Sequence, residues 1–236
     1  MQKPKKYFII TIDGPSGAGK STVSKKIAAQ LNLSYIDTGA MYRCVAWTAR
    51  QAGLDVTLDD VTSDDVTSES ALKKILQNIK IRFQASGEKN LVFCNENEVT
   101  DLIRSPEIDR LASAVSSLAC VREALLPMQR AAAQNSRAII DGRDAGTVIF
   151  PDADLKIYLD ADLDIRASRR LEDQKQDLEV NLESVTAAIA SRDQADSSRT
   201  HAPLRRADDA IVIDSSNLDI DGVCQRIINL YENLKK

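Results

Sequence analysis

Tyr7-Phe-Ile-Ile-Thr-Ile-Asp13-Gly14-Pro-Ser-Gly-Ala-Gly19-Lys20-Ser21 is the stretch that decides the fold. Its first seven residues are a short apolar, β-rich run ending at Gly-Pro, which reads as a buried strand. Lys20–Leu31 places Val23, Ile27, Ala28 and Leu31 on one face and reads as an amphipathic helix. Between them, Gly14 to Ser21 matches G-x-x-x-x-G-K-[ST]. Glycines let the backbone turn sharply and approach a phosphate closely. The amide N–H groups then point at the anion from a helix N-terminus, whose dipole also favours negative charge. The candidate cradle is Gly14, Pro15, Ser16, Gly17, Ala18, Gly19, Lys20, Ser21 and Thr22. In such a loop Lys20 can reach the β- and γ-phosphates, and the Ser21 hydroxyl can ligate Mg²⁺. Three of only nine glycines fall within six residues here, which argues against a chance match.

Outward from this loop, short strands alternate with helices. Ser34–Asp37 reads as a second strand and Met41–Gln51 as a second helix, a parallel βαβ pattern. The middle differs. Ser68–Gln77 is expected to be helical, Ile79–Phe83 and Leu91–Cys94 to be strands, and Ala85–Asn90 a turn, together a small antiparallel insert. Pro106–Ala119 and Val121–Ala133 read as helices, the second with Pro127 inside it. Ala138–Asp141, Leu155–Leu159 and Ala210–Asp214 read as further buried strands. Asp164–Asp173 and Leu182–Asp196 read as helices, and Asp219 as the N-cap of a last one running to Leu234. The expected class is α/β.

Composition removes several functions. The 236 residues hold 31 Lys+Arg against 35 Asp+Glu, a net charge of −4, where a generic nucleic-acid binder carries a basic excess. One histidine, His201, leaves no multi-histidine metal site and no Ser-His-Asp triad. Cys44, Cys94, Cys120 and Cys224 are far apart with no Cys-x-x-Cys pair, so reduced thiols are expected rather than zinc or redox chemistry. Asp59, Asp60, Asp64, Asp65 and Glu69 read as a solvated connection rather than a metal site. No run of 18 apolar residues and no signal-peptide core is present, so a soluble, cytoplasmic chain without membrane or nucleic-acid partners is expected.

The loop implies nucleoside triphosphate binding without choosing the reaction. Asp141, at the end of a buried strand, is the candidate carboxylate near Mg²⁺. No Asn-Lys-x-Asp guanine motif occurs. Between Arg137 and Arg226 there are ten arginines and only two lysines. Arginine is the better fork for phosphate oxygens. Arg166 lies on one side of its helix with Arg169 or Arg170, which crowds like charges and suits an anion clamp. Phosphoryl transfer between two polyanions needs such charge neutralisation and alignment more than covalent chemistry.

Five segments together resemble the bacterial cytidylate (CMP) kinases. They are Asp13-Gly-Pro-Ser-Gly-Ala-Gly-Lys20, Asp37-Thr-Gly-Ala-Met-Tyr-Arg43, Val121-Arg-Glu-Ala-Leu-Leu126, Asp141-Gly-Arg-Asp-Ala-Gly-Thr-Val-Ile-Phe150, and Ala202-Pro-Leu204 followed by Ala207-Asp-Asp-Ala210. The resemblance runs from about residue 7 to 232, and the second and fourth segments are its most specific parts. It implies a three-layer parallel P-loop core with an antiparallel NMP-binding insert and a short helical LID. The expected division is CORE over 1–38, 121–166 and 184–236, the NMP-binding region over 39–120, and the LID over 167–183. The implied reaction is ATP plus CMP or dCMP, with Mg²⁺, giving ADP plus CDP or dCDP, and a monomer is the expected state. Another small-molecule kinase, a UMP kinase, or a nucleotide-binding module without turnover are the alternatives.

By motif position, the resemblance assigns Arg43, Arg143 and Arg192 to the CMP phosphate, and Ser113, Arg122 and Asp144 to cytosine. Asp196 falls to the sugar hydroxyls, with Thr38 and Tyr42 in the same CMP set and Arg199 supporting Asp196. Arg166 and Arg170 are the implied LID arginines that close on the ATP phosphates. Lys20, Arg143, Arg166, Arg170 and Arg192 make up the catalytic set, and Asp193 reads as a structural partner of a neighbouring arginine. The chemistry suits cytosine, which offers an N4 amino donor beside O2 and N3 acceptors. Asp144 accepts, while Arg122 and Ser113 donate. Uracil would set its O4 acceptor against the carboxylate, an unpaired contact costing about 1–3 kcal/mol.

Overall fold

The computed structural model describes residues 7–54, 66–86, 89–173 and 181–234. The chain divides into two units, residues 1–35 with 135–236, and residues 36–134.

The first unit is built on strand β1 (Phe8–Asp13), helix α1 (Lys20–Leu31) and strand β2 (Ser34–Asp37), whose last two residues pass into the second unit. It resumes with β6 (Arg137–Gly142), β7 (Leu155–Asp160), α6 (Leu163–Asp173), α7 (Leu182–Ser198), β8 (Ile211–Asp214) and α8 (Ile220–Asn233). The strands form one sheet in the order β2-β6-β1-β7-β8. β1 pairs parallel with both β6 and β7, and Asp13 stands opposite Gly142 and Tyr158. The carboxyl ends of β1 and β6 therefore open side by side, where parallel α/β sheets bind ligands. Ile10, Ile12, Ile139, Ile157 and Leu159 are buried with Val23 and Ile27 of α1 and Val223, Ile227 and Tyr231 of α8. Each large apolar side chain so buried contributes about 1.5–3 kcal/mol. Ala167, Val185 and Ile189 pack α6 against α7.

The second unit holds α2 (Thr38–Gln51), α3 (Val66–Asn78), β3 (Ile81–Ser86), β4 (Lys89–Cys94), β5 (Asn97–Glu98), α4 (Pro106–Ser117) and α5 (Ala119–Ala132). β3, β4 and β5 form an antiparallel sheet. Met41, Val45 and Ala49 of α2 pack with Leu72, Leu76, Val92, Ile108, Val115, Val121 and Leu125. The parallel sheet flanked by helices and the separate three-stranded antiparallel sheet are the architecture the sequence implies.

Several expectations need correction. α2 begins at Thr38, not Met41, because the Asp37 side chain accepts from Ala40 N and caps the helix there. β3 runs to Ser86 and β4 starts at Lys89, so the expected six-residue turn is mostly strand. β5 follows after the two-residue turn Asn95-Glu96, in which Asn95 has φ of 55°. The break between α4 and α5 falls at Leu118, where an extended ψ of 125° ends the first helix, rather than at Cys120. Pro127 lies inside α5 without ending it. α7 continues past Asp196 to Ser198. Asp219 caps α8 as expected, accepting from Gly222 N at 2.7 Å. The acidic stretch Asp59 to Asp65 and LID residues 174–180 lie outside the described residues. No disulfide joins Cys44, Cys94, Cys120 and Cys224, and all but Cys120 are buried. Among the described residues no single helix is long and apolar enough to cross a membrane.

Candidate functional site

The phosphate loop in the first unit has the conformation its glycines permit. Gly14 has φ of 147°, and a Cβ there would lie 2.0 Å from the Leu159 carbonyl oxygen. Gly19 is the N-cap of α1 and carries no capping side chain. The helix thus presents its first N–H groups without a side-chain acceptor, as an anion site requires. Lys20 is 7% exposed and donates to the Pro15 carbonyl at 2.6 Å, folding back over the loop. Burial, followed by the positive charge of Arg143, holds its ammonium well below its usual pKa. The negative charge of an incoming polyanion offsets both effects by attraction.

Ser21 Oγ donates to Asp141 Oδ2 at 2.6 Å, and the Tyr35 hydroxyl donates to Asp141 Oδ1 at 3.2 Å. Asp141 is 3% exposed. A hydroxyl and a carboxylate held together at the loop are the hard oxygen donors that Mg²⁺ takes when phosphates and waters complete its shell. Among the described residues no group of three His, Cys, Asp or Glu side chains could hold a metal by itself. The Ser21–Asp141 pair supplies two oxygen ligands that a phosphate-bound cation could take.

After β6, two arginines and two aspartates form a chain of ion pairs. Arg143 Nε donates to Asp196 Oδ2 at 2.8 Å, and Arg199 Nη1 to Asp196 Oδ1 at 3.2 Å. Arg199 Nη2 also stands 3.9 Å from Asp144 Oδ1, while its Nε is held by the Ala202 carbonyl at 2.7 Å. Burial pushes the Asp196 carboxyl up, but Arg143, Arg199 and Arg192 hold it below the usual range. Asp144 is 5% exposed. The expected residues Arg143, Asp144, Asp196 and Arg199 are thus brought together, with Arg143 and Arg192 acting electrostatically on Lys20.

Arg166 and Asp193 pair with each other at the phosphate loop. Arg166 donates to the Ser16 carbonyl at 2.9 Å, to Ala161 O at 2.8 Å and to Asp193 Oδ2 at 2.5 Å. Asp193 Oδ1 in turn accepts from Ser16 N at 2.8 Å. The aspartate's partner is thus an arginine 27 residues away, and the pair grips the phosphate loop. Arg169 turns elsewhere, to the Ser215 hydroxyl and carbonyl at 3.0 and 2.6 Å, and ties α6 to the segment after β8. The crowding of like charges expected on this helix is therefore relieved by separate partners. Arg170, one turn beyond Arg166, is half-buried.

In the second unit, Asp37 collects two guanidinium groups. Arg104 Nη2 donates to Asp37 Oδ2 at 2.9 Å, and Arg43 Nη1 lies 3.8 Å from Oδ1. Arg43 Nε donates to Asp109 at 2.8 Å. Burial acts first to raise the Asp37 carboxyl, and Arg43 and Arg104 together hold it below its usual range. Thr38 is buried in the first turn of α2. Arg122 donates to the Tyr42 hydroxyl at 2.8 Å and to the Ser116 carbonyl at 3.1 Å, with its guanidinium 5.4 Å from the Tyr42 ring centre. Ser113 lies one helical turn before Ser116, which donates to its carbonyl at 2.8 Å.

Sequence reasoning missed Arg104, Asp109, Tyr35 and Asp13. Arg104 could have been found as an arginine just before the Ser105-Pro106 helix start, where the chain returns toward α2. Asp13 precedes the phosphate loop, and its oxygens accept from Ala145 N at 2.8 Å and Gly146 N at 2.7 Å. Residues Ala145–Ile149 form a single wide π-type turn that local propensity does not announce.

The sequence signature of the family described as Cytidylate kinase matches residues 10–233. A cytidylate kinase of Geobacter sulfurreducens is 44% identical over 233 residues, covering 98% of this chain and 96% of that one. One from Syntrophotalea carbinolica is 42% identical over 226 residues, covering 95% and 92%. One from Bacillus cereus is 39% identical over 230 residues, covering 97% and 98%. With the phosphate loop, the Ser21–Asp141 pair and the arginine-aspartate chain after β6 in place, this full-length match means that the chain belongs to the cytidylate kinase family.

Proposed function

We propose that the chain transfers the γ-phosphate of ATP to CMP or dCMP, giving ADP and CDP or dCDP. The observation that carries this reading is the chain Arg143–Asp196–Arg199–Asp144 in the same unit as a complete phosphate loop. It offers fixed positive charge for a second phosphate and a buried carboxylate for an amino-bearing base.

The loop N–H groups from Gly14 to Thr22 and the Lys20 ammonium bind the ATP phosphates. Ser21 and Asp141 fit Mg²⁺, which when bound neutralises charge on the β- and γ-phosphates. Arg143 and Arg192 hold the CMP phosphate against the γ-phosphorus, Asp196 accepts from the sugar hydroxyls, and Arg199 keeps that carboxylate oriented. Asp144 accepts from the cytosine N4 amino group. In the second unit, Thr38, Tyr42, Arg43, Ser113 and Arg122 are the groups assigned to CMP. Arg166, at the end of the second CORE segment, and Arg170, in the segment assigned as the LID, add charge at the ATP phosphates.

A CMP phosphate oxygen forms the new bond to the γ-phosphorus as the bond to the β,γ-bridging oxygen breaks, and ADP leaves with that electron pair. The attacking oxygen is already ionised, so the step needs no general base. The rate gain comes from alignment and charge stabilisation. The reading places the enzyme in the cytoplasm as a monomer, with no nucleic acid or membrane partner.

A coupled assay of ADP release over CMP, dCMP, UMP, AMP, GMP and shikimate tests this. Turnover is expected with CMP or dCMP, at least roughly ten-fold above UMP by kcat/KM, the penalty of one unpaired polar contact. A preference for UMP or shikimate, or ADP release independent of any acceptor, would overturn it.

A further inference from the structure

We propose that Asp13 is a positioning residue for base selectivity, acting through Arg143 and Asp144, which it pins from both ends. The proposal rests on the reading of the site as one that phosphorylates CMP. In the sheet, Asp13 is the register partner of Gly142, so the residue before Arg143 is fixed by the β1–β6 ladder. The side chain of the same Asp13 then accepts from the N–H groups of Ala145 and Gly146, the two residues after Asp144. Arg143 and Asp144 are thus the two residues of a short arc whose both ends are anchored on one residue.

The arc is rigid for three further reasons. The Asp144 carbonyl accepts from Val148 N at 2.9 Å and Ile149 N at 3.2 Å, and Phe150 N closes on Ala145 O at 2.8 Å. Gly146 has no room for a side chain, since a Cβ would meet Thr11 Oγ1 at 2.8 Å and Asp13 Oδ2 at 3.2 Å. Asp13 itself is 5% exposed.

Two adjacent N–H donors need two acceptors in one plane, and only a carboxylate supplies them. An amide offers one oxygen and turns an NH₂ donor against the second N–H. The ionised form is kept despite its surroundings. Burial, reinforced by the neighbouring Asp144 charge and offset in part by the two N–H bonds, moves the Asp13 pKa up to about 6. A buried charge retained against that penalty indicates a geometric demand that a neutral residue does not meet. Because Asp13 is also the residue before Gly14, the same anchor sets the base-reading carboxylate relative to the phosphate loop.

The test compares wild type with Asp13→Asn and Gly146→Ala, which disturb the clamp from its two sides, each checked for folding by circular dichroism. kcat/KM is measured for CMP and UMP, with KM for ATP. Both variants are expected to lose roughly ten-fold or more of the CMP-to-UMP ratio, from one misplaced polar contact, while KM for ATP moves far less. If Asp13→Asn does not fold, Gly146→Ala reads the clamp with the carboxylate intact. Equal losses for both nucleotides, leaving the ratio unchanged, indicate a merely structural role and would overturn the proposal. Wild type inactive on CMP would remove the functional reading itself, an outcome distinct from an active wild type whose variants keep their selectivity.

Discussion

Ser21 Oγ lies 2.6 Å from Asp141 Oδ2, although 120 residues separate them. Ser21 lies in the first turn of α1 and Asp141 is the next-to-last residue of β6, so the β1–β6 pairing brings them together. If this pair takes the nucleotide-borne cation, Asp141→Asn leaves the shape and removes the charge. The Mg²⁺ concentration for half-maximal rate is expected to rise roughly 10- to 100-fold, with kcat falling as well. Initial rates against Mg²⁺ at fixed ATP measure this, and an unchanged Mg²⁺ dependence contradicts the assignment.

Lys20→Ala removes the one ammonium folded over the loop. Transfer is expected to fall by about 10²–10³-fold or more, the scale of losing a key charge-stabilising donor. The fold should survive, because burial already disfavours this charge. Single-turnover kinetics and a thermal melt separate the two effects. In contrast, His201 is exposed, and His201→Ala should leave the rate intact, since the proposed step needs no proton acceptor.

Asp193 holds Ser16 N with one oxygen and Arg166 with the other. Asp193→Ala strands a mostly buried guanidinium and frees the loop. Breaking such a pair costs about 3–5 kcal/mol when fully buried, so a drop in Tm of several degrees is expected, with a raised KM for ATP. Asp193→Asn keeps an acceptor for Ser16 N and should fall between wild type and Asp193→Ala. Identical ATP kinetics in all three would remove Asp193 from the loop's support.

How far this site was legible in the sequence depends on the range of the interaction. The phosphate loop is local: strand, glycines, lysine and helix lie within 25 consecutive residues, so spacing and periodicity suffice. The parallel core followed from the same alternation. The grip of Asp193 on Ser16 spans 177 residues and that of Asp13 on Gly146 spans 133, and neither carries a local pattern. Arg166 and Arg169 look alike in sequence, three apart on one helix, yet one faces the loop and the other Ser215. Gly39 weakens helix propensity at the start of α2, and the Asp37 cap, accepting from Ala40 N, starts the helix at Thr38 all the same.

The acid carboxylates give stability changes of opposite sign. Asp37 and Asp196 are held below 3.8 by arginines, so their contribution is present above about pH 4 and is lost as pH falls through their folded pKa values. Asp13 is raised from 3.8 to about 6, so its contribution is full below the unfolded value and is lost as pH rises through about 6. That shift corresponds to roughly 3 kcal/mol. Calorimetry of wild type and Asp13→Asn between pH 4 and 8 checks this. The Tm of wild type relative to the variant should fall as pH rises from 4 to 7, and a flat difference contradicts the shift.

The most direct measurement follows the labelled γ-phosphate of ATP in the presence of Mg²⁺ and CMP, with products separated by chromatography. The account predicts that label appears in the β-phosphate of CDP, that ADP forms in equal amount, and that Lys20→Ala slows both by about 10²–10³-fold or more. Label released as inorganic phosphate, or transfer that does not depend on CMP or dCMP, would contradict it.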